Sequence, residues 1–189
     1  GDTVISNSLI NGSVEAGELD RNSLTGGLIG RSAGDLKAVN LDNYVEVSAE
    51  AAKVGGIAGT VNGNVNFTNI TSRTKISSGA ILSGFESGRS YTGGLTGRVS
   101  GTVIMKDISN SVNISSVSGS KIGGISGAVF GDMTLEDIDN SGEIDIGASL
   151  GTLAHTGGLV GMQTGGITAE DIQSDVDVSG NGNMIRSEE

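Results

Sequence analysis

The chain has no cysteine, no proline and no tryptophan, and its 189 residues include only two tyrosines and three phenylalanines. Without cysteine there is no disulfide, no thiolate metal site and no cysteine nucleophile, and the redox compartment stays open. So few aromatics leave little to fill a wide core. Positive charge is also scarce, with 11 Lys and Arg against 22 Asp and Glu, a formal net charge of −11. A surface so acidic argues against nucleic acid and against an anionic membrane, both of which need a basic face. No apolar run approaches the roughly 18 residues of a membrane helix, and no signal peptide opens the chain. The expectation is no nucleic-acid partner and no membrane insertion.

What is abundant is glycine, 33 residues of it, and much of it is periodic. The phrase Gly-Gly-(Leu/Ile)-x-Gly occurs five times, beginning at Gly26, Gly55, Gly93, Gly123 and Gly157. Each phrase is followed at one fixed distance by another glycine, namely Gly34, Gly63, Gly101, Gly131 and Gly165. Recurrence of this order marks a repeat protein. The period varies between 29 and 38 residues while the first half of each unit stays constant.

After the later glycine, apolar residues alternate: Leu36 and Ala38, Val65 and Phe67, Val103 and Met105, Met133 and Leu135, Ile167 and Ala169. Alternation of this kind is a strand with one buried face. Three residues on stands Leu41, Ile70, Ile108, Ile138 or Ile172, often followed by a second alternation such as Val112 and Ile114, which reads as a second strand. The column Leu28, Ile57, Leu95, Ile125, Leu159 reads as a third, shorter strand entered through the Gly-Gly bend. The N-terminal stretch fits the same frame with Ile5 at the place of Leu36 and Ile10 at that of Leu41. The fold expected is all-β, a right-handed parallel β-helix of about five to six coils with three short strands per coil. Residues 1–189 form one solenoid domain, a fragment of a longer chain, with coils starting near 26, 55, 93, 123 and 157. Unpaired coils at both ends predict weak end-to-end self-association.

Candidate chemistry is sparse. The single histidine, His155, has no second histidine for a zinc site, and no Gly-x-Ser-x-Gly is present. The column Asn40, Asn69, Asp107, Asp137, Asp171 precedes the second-strand aliphatic in each unit. Its bland explanation is a corner, where Asn and Asp bond to turn amides and tolerate unusual backbone angles. Its chemical explanation is a metal site, Asp107, Asp137 and Asp171 stacked closely enough to hold Ca2+. For the glycine phrase, packing outweighs a phosphate cradle. A recognition surface is best sought in the longest excursion, 77–92, which carries Phe85, Glu86, Arg89 and Tyr91. The excursion 147–156 ranks second. No cofactor is required and no catalytic residue stands out, so the segment reads as not an enzyme.

The phrases Gly93-Gly94-Leu95-Thr96-Gly97-Arg98-Val99-Ser100-Gly101 and Gly157-Gly158-Leu159-Val160-Gly161 resemble the GLUG motif of bacterial surface proteins. That repeat is found in adhesin-like secreted proteins and in the non-catalytic N-terminal region of the M26 IgA-specific metallopeptidases. The resemblance implies an extracellular module, at the bacterial cell surface or secreted. It would be a rigid spacer with an adhesion or host-interaction surface, whose partners are neighbouring domains of the parent chain and a host protein or glycan. It carries over no catalytic residue, since the peptidase His-Glu-x-x-His is missing here. Two alternatives follow: an accessory substrate-docking region of an M26-type zinc metallopeptidase, or a fragment of a carbohydrate-active β-helix enzyme. Limited proteolysis should cut first within 77–92 and at the termini, read by mass spectrometry. Rapid cleavage inside the glycine phrases would count against the solenoid.

Overall fold

Alternating β-branched residues separated by glycine bends favour short extended segments that can satisfy their backbone groups only on neighbouring copies of themselves. The computed structural model, which describes residues 1–78, 90–116, 121–147 and 155–180, shows that arrangement. Each coil opens with a long strand: β1 (Thr3–Gly26), β3 (Leu36–Gly55), β5 (Val65–Ser78), β8 (Val103–Ser116), β11 (Met133–Ile146) and β14 (Ile167–Gly180). Three-residue strands follow in β6 (Tyr91–Gly93), β9 (Lys121–Gly123) and β12 (His155–Gly157), a role taken in the first two coils by the ends of β1 and β3. Four-residue strands close the coil: β2 (Ile29–Ser32), β4 (Ala58–Val61), β7 (Thr96–Val99), β10 (Ser126–Val129) and β13 (Val160–Gln163). Every pairing between coils is parallel, in the orders β1-β3-β5-β8-β11-β14, β3-β6-β9-β12 and β2-β4-β7-β10-β13. The protein is a parallel β-solenoid of about five turns with three strands per coil.

The two strands read from the first and second alternations are one hydrogen-bonded strand with a single residue inserted. Asn7, Asn40, Asn69, Asp107, Asp137 and Asp171 all lie in the left-handed region, with φ between 49° and 54°. The ladder passes over this residue, pairing Thr68 with Lys106 and then Ile70 with Ile108. One left-handed residue shifts the inward parity, so β5 buries Val65 and Phe67, then Ile70, Ser72, Thr74, Ile76 and Ser78. The wall thereby bends into two faces. The first packs Leu36, Phe67, Met105 and Leu135 against Ile57, Leu95 and Ile125. The second packs Val47, Ile76, Ile114 and Ile144 against Val54 and Ile122.

Two positions differ from the sequence expectation. Leu28, Ile57, Leu95, Ile125 and Leu159 lie in the bend after the double glycine, and the four-residue strand starts one residue later. They point into the core because the bend carries their amides onto the next coil, as in Leu95 N–H to Ile125 O at 2.9 Å. In the first coil, Ile5 aligns with Ala38 and Ile10 with Asn43, two residues from the expected frame. A shift of two keeps the same face inward, which is why hydrophobic pattern alone does not detect it.

Between the two apolar faces runs a column absent from any apolar pattern: Asn43, Ser72, Asn110 and Asn140, all buried. Asn43, Asn110 and Asn140 each donate from Nδ2 across the interior to a carbonyl of the glycine phrase, Gly56, Gly124 and Gly158 at 3.1, 2.8 and 2.8 Å. Asn110 also donates to Asn140 Oδ1 of the next coil at 2.7 Å. Where serine is too short, Thr74 Oγ1 donates to Gly94 O at 3.3 Å. The ladder breaks where the preceding coil has Ile10 or Ser72, leaving Asn43 Oδ1 and Asn110 Oδ1 buried without a partner.

Among the described residues no coil stacks on β14, and its inward residues show it: Ile167 is 52% exposed whereas Val103 in the same column is fully covered. Ile108→Ala should cost about 2–5 kcal/mol, whereas Ile167→Ala should cost less than about 1 kcal/mol because the side chain is already half in water. Chemical denaturation of both variants checks the difference, and equal losses would contradict the end-coil account.

Candidate interaction surface

The glycine phrase is engaged by the fold itself. Gly27 N–H donates to Gly55 O, Gly56 N–H to Gly94 O and Gly94 N–H to Gly123 O, at 3.1–3.2 Å. These amides therefore point at the neighbouring coil and form no phosphate cradle. Nor does the phrase exploit left-handed freedom, since the positive-φ glycines of the described chain are Gly12 and Gly142. Space is the reason for it: a β-carbon on Gly127 would stand 2.6 Å from Gly97 O and from Thr92 N. One on Gly124 would stand 2.8 Å from Asn140 Nδ2, blocking the asparagine that ties the walls together.

A second corner follows the later glycine. Asp2 Oδ1 accepts from Asp35 N–H at 3.0 Å, Asp35 Oδ1 from Asn64 N–H at 2.8 Å and Asn64 Oδ1 from Thr102 N–H at 2.9 Å. Asp132 Oδ1 accepts from Gly166 N–H at 2.9 Å. Sequence reading missed this ladder, although the dipeptides Gly1-Asp2, Gly34-Asp35, Gly63-Asn64 and Gly131-Asp132 were its signal. An open groove of about 400 Å³ lies beside it, with Val4, Lys37, Asn66 and Ile104 on its wall. That wall has no aromatic side chain, and its Asp2 and Asp35 carboxylates already accept backbone amides.

The metal candidates Asp107, Asp137 and Asp171 occupy the left-handed corner in three successive coils. At the N-terminal end the same column is a chain of amides, Asn69 to Asn40 and Asn40 to Asn7, each 2.8 Å. Among the described residues no group of three or more His, Asp or Glu is arranged to hold a metal ion. Beside the column, Lys106 bonds Glu136. This hydrogen bond raises the lysine above its ordinary value, with help from the charges of Glu136, Asp107 and Asp137. Any stability from the pair is in place at neutral pH and is lost as pH rises through the raised lysine value.

Of the recognition candidates, Phe85, Glu86 and Arg89 lie outside the described residues. Tyr91 is the first residue of β6 and is only 9% exposed. Its ring meets Phe130 edge-on, with centroids 6.2 Å apart and planes at 78°. Arg98 Cζ sits 4.7 Å from the Phe130 centroid and Lys121 Nζ 5.9 Å from that of Tyr91. Cation–π attraction of this kind holds a charge in place at a partly dry site. The register extends the group into a column, Lys53 beside Tyr91, Tyr91 beside Lys121, Lys121 beside His155. Burial lowers the Lys121 ammonium below its ordinary value. The charged lysine therefore costs the fold some stability, a cost that fades as pH rises through the lowered value and the proton is lost.

If the Asp column exists for its backbone angle, Asp137→Gly should be nearly neutral, while Asp137→Val should cost about 1–2 kcal/mol for a branched residue forced left-handed. Thermal unfolding with and without added Ca2+ checks this. A calcium-dependent rise in the wild type that Asp137→Gly abolishes would instead favour the metal reading. No family model, no curated protein and no solved structure matches this chain.

Proposed function

We propose that this chain is a non-catalytic β-solenoid module of a bacterial cell-surface or secreted protein. In this reading it is a GLUG-type repeat segment that sets a fixed distance between neighbouring domains and offers its side to a host protein or glycan. The observation that carries it is the use made of the repeat. The glycine phrase and the left-handed corner recur coil after coil, the Asx ladder recurs in all but the coil that has Thr102 there, and the phrase and the ladder bond to the neighbouring coil. Such a repeat adds length and stiffness with each copy. The extracellular placement rests on the resemblance of Gly93–Gly101 and Gly157–Gly161 to the surface-protein motif.

Stiffness is directly measurable because the chain has no cysteine. Asp42→Cys and Gln173→Cys place two spin labels in one exposed outer column, linked through Thr71, Ser109 and Asp139. Four coil steps predict a single narrow backbone separation of about 19 Å, to which the label arms add. A broad or bimodal distribution would overturn the spacer reading. Labelling of an epitope-tagged parent on intact cells tests the location, and an epitope reached only after lysis would overturn it.

A further inference from the structure

We infer that the interior of the solenoid binds a structural water at the third coil, held by Ser72, Thr74 and Asn110, and that this water completes the polar column between the two apolar faces. The inference concerns what ties the walls of the rod together and is independent of any host partner.

The first support is an oxygen that needs a donor. Asn110 Oδ1 is buried without a partner, on a residue 1% exposed. The residue stacked beneath it is Ser72, also buried, whose hydroxyl does not reach it. Ser72 Oγ accepts from Asn43 Nδ2 at 3.4 Å, so its own proton is left to give onward. A buried carbonyl without a donor is costly, and a water within reach of both groups removes the cost.

The second support is direction. Asn43 donates to Ser72, Asn110 donates to Asn140 Oδ1 and Asn140 donates to Ser174 Oγ, each toward the following coil. The step from Ser72 to Asn110 is the break in this sequence. A water that accepts from Ser72 Oγ and donates to Asn110 Oδ1 restores it with the same polarity. Its second proton goes to Thr74 Oγ1, which spends its own proton on Gly94 O and keeps lone pairs to accept. Three bonds are what a buried water ordinarily makes.

The third support is space. Serine ends two heavy atoms short of asparagine, and the walls cannot close over the difference. Asn43 and Asn110 hold the glycine phrase at asparagine's reach in the coils on either side, and Gly94 itself is bonded to both neighbouring coils. The ligand is water and not a metal ion, because Ca2+ takes about six to eight oxygens and the site offers three. The other break in the column differs. Asn43 Oδ1 faces the coil that carries Ile10, whose apolar side chain gives a water no second polar partner in the column.

The test is crystallography of the whole chain at a resolution that shows ordered solvent, joined to oxygen-17 relaxation dispersion, which counts waters held long inside a protein in solution. Density within hydrogen-bonding distance of Ser72 Oγ, Thr74 Oγ1 and Asn110 Oδ1 is expected. Ser72→Asn sets an amide where the water sits, so the dispersion should lose the amplitude of one water while the urea midpoint holds or rises. Ser72→Ala removes the donor and should lower the midpoint. The proposal is overturned if the wild-type site has no solvent density, if the density there has the short contacts of a metal ion, or if Ser72→Asn leaves the dispersion amplitude unchanged. The wild-type density decides the matter even where a variant fails to fold.

Discussion

Parallel pairing between successive coils is the interaction on which the rest of the molecule depends. Each coil directs its amides at the carbonyls of the next, even through the bends, where Leu95 bonds Ile125 and Ile125 bonds Leu159. Pairing at every corner requires each coil to turn where its neighbour turns. A side chain at the tightest point would push the coils apart, so the closest approaches are glycine on backbone, as at Gly97 against Gly59 and Val54. The constancy of the first half of the repeat follows from this, since that half holds the paired corners. Variation in length falls between the long strand of each coil and the short strand that follows it.

Within that frame, polar side chains act as ties. The interior asparagines fix the separation of two walls that apolar contact alone would leave free to slide, because a hydrogen bond at 2.8 Å has a defined length and hydrophobic contact does not. At the corners Asx carboxylates and amides reach from one coil to the backbone of the next. Asp2, Asp35 and Asp132 are engaged in this way by backbone amides. A polar group placed where a neighbouring backbone group needs a partner stabilises the stack and remains chemically quiet.

The basic stripe departs from this pattern. Acid at the corners answers backbone amides, whereas Lys53, Tyr91, Lys121 and His155 stand in the column where the first coil has Leu24, with Lys121 over the Tyr91 ring and Arg98 over that of Phe130. Features that recur in every coil explain the fold. A feature confined to a few coils is not required by the repeat.

Fold class was legible because it rests on local period. Alternation at two residues, a glycine phrase at fixed spacing and one Asn or Asp before each second-strand aliphatic identify coils and corners from sequence. The inward place of Phe67 and the corner place of Asp107, Asp137 and Asp171 follow from that alone. Register across coils did not, as the two-residue misplacement of Ile5 and Ile10 shows: a shift by two preserves the buried face and leaves the hydrophobic pattern unchanged. The interior asparagine column was hidden for a related reason, since a buried polar residue looks exposed until its partner carbonyl is known. The Lys53, Tyr91, Lys121, His155 stripe was hidden most deeply. Those residues are separated by repeats of unequal length, and only the pairing of short strands after the variable segments sets them side by side. Sequence determined what each coil is made of; the stacking of coils decided which residues became neighbours, because that depends on hydrogen bonds between segments distant in the chain.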